Sequence, residues 1–330
     1  MEAERVRSCF IKLIHVIFCF ILFLFCFSAH SVIIYGHRGA RGLAPENTLP
    51  AYSVALLQGV DYVDLDVAMT KDGVLVVQHD LTLNPNLTRN AKGQWIKSKN
   101  LIIKNLTLKQ LQTYDVGQIK PNTNYAKLFP SQQPSNHARI PTLTQVIHYI
   151  KKAAGDRVGF QIEIKTDPTN SKLSVSPCIM VIALEKIIRE EGIINRTKVH
   201  AFDWNCLLIL QKINPKIITA YLTDSNQALI MRNPDPIIAG RWTAGKLLKN
   251  YHYSIPRMIK ALGGQWWDAE DIEMTRSQLQ EAHQLGLKVA IWSWPERTGK
   301  AIDIPLVKKL IAMHVDGVIT DRPDLIKNRN

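Results

Sequence analysis

Two histidines and three carboxylates carry the first chemical signal. His37 stands in Gly36-His37-Arg38-Gly39, at the end of a short apolar run. A histidine beside an arginine suits an anionic oxygen, since the guanidinium offers a planar fork and the imidazole a proton. The glycines at 36, 39 and 42 are spaced wrongly for a dinucleotide fingerprint. His79 follows Val76-Val77-Gln78 and precedes Asp80. A lone histidine at a strand end is usually structural, but two at the ends of different strands point to one site. Asp64 and Asp66 are two residues apart in an apolar run, so on a strand both carboxylates face one way. They repel unless a cation neutralises them. Glu163 and Lys165 repeat the alternation in Gln161-Ile162-Glu163-Ile164-Lys165. Taken alone, that pair reads equally well as a cross-strand ion pair. Three carboxylates with no Cys or His ligand spacing suit one hard divalent cation, Ca2+ or Mg2+.

Strands must position these groups. Val32–Tyr35, Tyr62–Val67, Val74–Val77, Phe160–Ile164, Lys198–Phe202, Ile217–Leu222, Lys288–Trp292 and Gly317–Thr320 read as strands, and Gln265–Asp268 is a candidate for one more. Leu143, Val146, Ile147 and Ile150 have helical spacing. Ser176–Pro177 opens another helix, and Ser277–Leu285 is a third, closed by Gly286. Regular alternation implies parallel strands with crossover helices. Eight such units close an α/β TIM (β/α)8 barrel, and an open doubly wound sheet is the rival. A barrel gathers the C-terminal ends of its strands at one mouth, where active sites lie. His37, Asp64, Asp66, His79, Glu163, Lys165 and Trp292 all fall at such ends.

The composition is that of a folded chain. The 330 residues are 46% hydrophobic and 21% charged, which excludes wholesale disorder. The net charge of +13 is unevenly spread. Residues 81–141 break the strand–helix rhythm and carry nine Lys and Arg against one acid, Asp115. An excursion of this length is usually functional or a small subdomain. Its charge reads either as a solvated face or as a field that steers an anion inward.

Residues 1–31 read as a signal peptide. Arg5, Arg7 and Lys12 precede the apolar run Val16–Phe27, and small or polar residues follow. The run is short for a membrane span. The expected location is therefore exported, periplasmic or secreted, with an uncleaved membrane anchor as the alternative. Cys9, Cys19 and Cys26 lie in this leader; Cys178 and Cys206 remain in 32–330, either paired or as two buried thiols.

The motifs His37-Arg38-Gly39-Ala40, Pro45-Glu46-Asn47-Thr48, Asp64-Leu65-Asp66-Val67, Thr70-Lys71-Asp72-Gly73, Val76 to Asp80, Ile162 to Lys165 and Asp316 to Asp321 occur in order. Together they resemble the glycerophosphodiester phosphodiesterase family, in its exported bacterial type, over essentially all of 32–330. The resemblance implies a TIM barrel with an insertion after the third strand, which places 81–141. It implies that His37 and His79 are the acid–base pair and that Asp64, Asp66 and Glu163 hold the divalent ion. Arg38 and Lys165 would take the phosphate, Trp292 would wall the pocket, and Glu46 would be a ligand or, the favoured reading, a supporting or structural residue. Asp64 departs from the pattern, because Glu is usual there. The residues after Trp292 also depart from it.

The implied reaction is metal-dependent hydrolysis of a small anionic phosphodiester to sn-glycerol 3-phosphate and an alcohol. A phospholipase-D-like action on lysophospholipids or sphingolipids is the alternative, and would need an apolar groove from Trp266, Trp267 and Trp294. A non-catalytic binding protein is disfavoured by the two histidines. Nucleic acid is not an expected partner, because the basic segment matches no known module. A membrane is an expected partner only through an uncleaved leader.

Overall fold

A computed structural model describes residues 31–326. The expected leader, residues 1–31, lies outside them except for Ser31, as do Cys9, Cys19 and Cys26. Nine strands are described: β1 (Ile33–Gly36), β2 (Tyr62–Met69), β3 (Leu75–Val77), β4 (Gly159–Ile164), β5 (Thr197–Ala201), β6 (Ile218–Thr223), β7 (Trp266–Glu270), β8 (Lys288–Trp292) and β9 (Gly317–Thr320). Eight pair in parallel in the order β1-β9-β8-β7-β6-β5-β4-β2, and β1 pairs with β2 to close the barrel. The rival open sheet is therefore excluded. The candidate strand at 265–268 is β7 and belongs to the barrel.

One strand behaves differently from its expected place. β3 runs antiparallel to the far end of β2, with Val67 opposite Val77 and Met69 opposite Leu75. It is the return arm of a hairpin. Gly73 turns the chain at φ +78°, and the Thr70 hydroxyl accepts from Val74 N at 3.0 Å. A three-residue apolar run carries no sign of its direction. Yet the return arm leads back toward the mouth, where Gln78 N donates to the Asp66 carbonyl at 3.0 Å. His79 thus reaches the mouth from a descending strand.

The expected insertion, 81–141, lies between β3 and the helix Leu143–Ala154. It holds short helices at Leu108–Leu111 and Asn124–Leu128 and isolated bridges rather than strands. Leu83, Ile103, Leu111 and Ile140 bury themselves against Ala68 and Val76 of the hairpin. Apolar burial thereby attaches the insertion to the barrel without a sheet.

The main core lies between barrel and helices. The helix Leu143–Ala154 buries Leu143, Val146, Ile147 and Ile150, as its spacing implies. Thr142 and Gln145 cap it reciprocally, which satisfies donors that a helix start leaves open. Ser176 caps Pro177–Glu190, and Thr275 caps Arg276–Gln284. Inside the barrel floor, Tyr35 and Trp266 flank the Lys198 ammonium, each ring centroid 4.2 Å away. Trp267, on the other face of β7, is fully buried in the outer core. Neither tryptophan lines the cavity at the mouth. Cys178 is exposed and Cys206 buried, and both are free thiols.

The loop after β1 depends on close backbone approach. Gly39 has φ +88°, and a Cβ there would stand 2.7 Å from the Ala51 backbone. We predict that Gly39→Ala destabilises the fold by at least about 1 kcal/mol, read as a lower Tm. An unchanged Tm would show that this loop relaxes freely.

Candidate active site

Adjacent strand ends build the first half of the site. β1 and β9 pair with Gly36 opposite Thr320, so His37 and Asp321 are the next residues on two neighbouring strands. His37 Nδ1 lies 2.7 Å from Asp321 Oδ1. Arg41 grips the same carboxylate with two bonds of 2.8 Å, from Nε and Nη2. Arg41 and Asp321 are both buried, at 1% and 2% exposure. Burial opposes the Asp321 charge, but Arg41 and His37 outweigh it and hold the carboxyl well below its usual range.

His79 has the same kind of partner. Its Nδ1 lies 2.8 Å from Asp80 Oδ1, while Asp80 Oδ2 accepts from Asn84 at 3.0 Å and Lys99 at 3.4 Å. Each imidazole is therefore tethered through Nδ1, leaving Nε2 for other work. Both rings line one cavity of about 550 Å3 at the mouth, with Arg38, Glu46, Lys165 and Trp292.

The carboxylates on β2 and β4 stand in register, Asp64 opposite Gln161 and Asp66 opposite Glu163. Each is already engaged. Asp66 accepts from Asn47 Nδ2 at 2.7 Å and faces Arg38 Nε at 3.5 Å and Lys165 Nζ at 3.7 Å. Burial opposes its ionisation, yet His79, Lys165 and Arg38 hold it well below the carboxylate range. Glu163 accepts from Lys165 at 2.5 Å. Asp64 accepts from Gln161 at 2.8 Å and faces His200 Nε2 at 3.1 Å, without hydrogen-bond alignment. His200 in turn bonds Asp268 through Nδ1 at 3.0 Å. Burial disfavours its charge, but Asp268 and Asp64 push its pKa up to about 9.

Among the described residues, no three His, Cys, Asp or Glu side chains stand together as a metal-ligand group. The donor chemistry nevertheless fits a hard cation. Asp64 and Glu163 line the cavity, and the buried Gln161 Oε1 beside Asp64 lacks a donor.

Arg38 donates to Glu46 at 2.8 Å, and Tyr125 Oη donates to the other Glu46 oxygen. Glu46 is thus shared between Arg38 and Tyr125. Arg38 takes φ +50°, which bends its backbone into the mouth loop. Arg38 Nε and Trp292 Nε1 are buried donors without a hydrogen-bond partner. Such donors are costly unless something fills them, and a substrate oxygen is suited to do so. Trp292 packs edge-on against Phe202, with centroids 5.7 Å apart.

Several cavity residues were not marked by the sequence pattern. Asp80 and Asp321 lie inside quoted motifs but carry no assigned role there; their adjacency to a histidine, in chain or in register, was the available signal. His200 follows Lys198 with the same polar alternation as Gln161 and Glu163. Tyr125, Lys99 and Asn84 come from the insertion, where no periodicity marks them. Of the insertion's cations, Lys99 lines the cavity, whereas Arg89 pairs with Asp115 at 2.8 Å and Lys104 donates to the Ser171 and Ser174 carbonyls. Most of that charge is therefore not at the cavity wall.

A closed α/β barrel with two carboxylate-tethered histidines and buried cations at its mouth has the architecture of an enzyme site suited to an anionic substrate. The chain belongs to the glycerophosphoryl diester phosphodiesterase family, whose model matches residues 37–325, and is accordingly a glycerophosphodiester phosphodiesterase. It is 27% identical over 293 residues to a glycerophosphodiester phosphodiesterase of Bacillus altitudinis, covering 88% of this chain and 95% of that one. A crystal structure from Silicibacter pomeroyi DSS-3, assigned to the same family, is 29% identical with a TM-score of 0.75, covering 90% and 92% of the two chains. The fold is shared by an Oleispira antarctica phosphodiesterase in complex with the product sn-glycerol-3-phosphate, at 21% identity and TM-score 0.63, covering 89% and 95%.

Removing the Asp321 charge deprives the buried Arg41 of its bidentate partner and leaves Glu296, at 3.7 Å, as its remaining ion-pair partner. Asp321→Asn should cost about 3–5 kcal/mol, measured by denaturant unfolding. Because the folded carboxyl titrates below its unfolded value, this stabilisation is present above about pH 4 and is lost as pH falls through the depressed folded value. The gap in stability between wild type and Asp321→Asn should therefore narrow on acidification. A constant gap would contradict the ion-pair account.

Proposed function

We propose that this enzyme hydrolyses glycerophosphodiesters to sn-glycerol 3-phosphate and an alcohol, with His37 and His79 as the acid–base pair. The observation that carries the reading is the presence of two imidazoles, each tethered at Nδ1 by a carboxylate, in one cavity with Arg38 and Lys165. One Nε2 removes a proton from the attacking oxygen, and the other donates a proton to the departing alcohol. Arg38 and Lys165 attract the phosphate oxygens, and Trp292 offers its free N–H. Asp321 and Asp80 hold the rings in place and favour the imidazolium as it forms.

A divalent cation, Ca2+ or Mg2+, belongs to this reading, and Asp64, Asp66 and Glu163 are the residues that would hold it. Bound there, it would supply charge neutralisation at the phosphate. Asp64 is one methylene shorter than the usual Glu and is drawn toward Gln161 and His200. An exported enzyme, periplasmic or secreted, is the location that the basic and apolar character of 1–31 supports.

His37→Ala and His79→Ala should each lower kcat by at least about 10²-fold in a coupled glycerol 3-phosphate release assay. Near-wild-type turnover in either variant would overturn its catalytic role. Chelation should abolish activity and Ca2+ or Mg2+ should restore it, and calorimetry should show that Glu163→Gln weakens binding of that ion. Full activity in chelator would remove the metal from the account.

A further inference from the structure

One wall of the cavity lies beyond the reach of the sheet. Glu270 ends β7 and stands opposite Trp292, the last residue of β8. The chain then runs through Ser293 and Trp294 into the one-turn helix Pro295–Thr298, closed by Gly299 at φ +71°. Trp292, Ser293, Trp294, Pro295 and Glu296 all line the cavity. Sheet pairing fixes only the first of these five residues. Side chains must fix the rest.

The strongest such contact comes from behind the wall. Arg297 does not line the cavity, yet its guanidinium carbon lies 4.5 Å from the centroid of the Trp294 ring. That ring lies 6.3 Å from the Trp292 ring, at an interplanar angle of 34°. A guanidinium over an indole face is attracted by the negative face of the ring, and more strongly where water is excluded. The Arg297 side chain is 27% exposed.

Arg297 is itself anchored. Its Nη1 donates to Glu270 Oε2 at 2.9 Å. The same oxygen accepts from the Ser225 backbone N–H and from the Ser225 hydroxyl, both at 3.0 Å. Glu270 is fully buried, and Ser225 opens the helix Ser225–Ile230 that follows β6. The anchor therefore joins the end of β7, the helix after β6 and the loop after β8. The neighbours of Trp294 have other tethers. Ser293 Oγ donates to Asp271 Oδ2 at 2.5 Å, and Glu296 Oε1 lies 3.7 Å from Arg41 Nη1. Neither of these pairs includes the indole ring.

We propose that Arg297 is a positioning residue: anchored on Glu270, it holds the Trp294 ring against the cavity and so sets the affinity for substrate. This inference rests on the phosphodiesterase reading and adds to it a residue outside the cavity. An indole wall offers contact rather than proton transfer. Its displacement is felt by bound substrate and transition state alike, and so appears in KM rather than in kcat.

The test is a double-mutant cycle on the full chain, with glycerophosphocholine and glycerophosphoethanolamine as substrates and glycerol 3-phosphate release as readout. Arg297→Met alone would leave the buried Glu270 carboxylate without its cation, so it is combined with Glu270→Gln. This pair of substitutions, checked for a native Tm, should raise KM about tenfold and change kcat by no more than about twofold. In a Trp294→Ala background the same pair should change KM by no more than about twofold, because the ring through which Arg297 acts is gone. Arg297→Lys keeps a cation between Glu270 and Trp294. Carried through the same cycle, it should show the same dependence on Trp294 with a smaller rise in KM. A full-sized KM effect in the Trp294→Ala background would mean that Arg297 attracts the anion directly, and would overturn the proposal. An unchanged KM where Trp294 is present, or a fall in kcat at constant KM, would overturn it as well. All three results leave the phosphodiesterase reading intact. Absence of glycerol 3-phosphate release by the wild type would overturn both.

Discussion

The buried triad of His37, Asp321 and Arg41 is the interaction on which the rest of the site depends. Asp321 follows β9 and His37 follows β1, and the pairing of those strands closes the barrel. Their register alone sets the two side chains in reach. Arg41 then makes the burial of Asp321 tolerable, since an uncompensated carboxylate in that place is costly. Barrel closure and the aim of His37 are thus one event. A slip of one residue between β1 and β9 would turn the side chains on β1 to the opposite face and part the histidine from its acid.

The mouth is also a problem of charge density. Asp64, Asp66, Glu163, Asp268 and Asp321 are all buried or nearly so. Basic side chains stand beside each of them: Arg38 and Lys165 at Asp66, Lys165 at Glu163, Arg41 at Asp321, Lys198 at Asp268, and His200, whose pKa is raised, between Asp64 and Asp268. Such a network does little for stability by itself, because desolvation offsets most of the attraction. Its effect is to orient the carboxylates and to favour the ionised form of Asp66, Asp268 and Asp321. Arg38 Nε faces Asp66 at 3.5 Å without a hydrogen bond, so a buried donor remains on a residue that lines the cavity.

The sequence showed the barrel and half of the site, for definite physical reasons. Period-two alternation placed Asp64 with Asp66 and Gln161 with Glu163 on one face, and the register agrees. Strand ends marked His37 and Trp292. The strand before His79 is legible but its direction is not, because a three-residue apolar run does not reveal that it descends from a hairpin. No repeat marks Tyr125 and Lys99 as site residues, because they sit in irregular chain, which burial of Leu83, Ile103 and Leu111 attaches to the barrel. Trp266 and Trp267 form no groove at the mouth, because they alternate across β7, one to the barrel floor and one to the outer core.

The central claim is that two tethered imidazoles share the proton transfers. The pH dependence of kcat/KM tests it most directly, compared between wild type, His37→Ala and His79→Ala. The account predicts a bell for the wild type, with a different limb lost in each variant. A variant that keeps both limbs would contradict it.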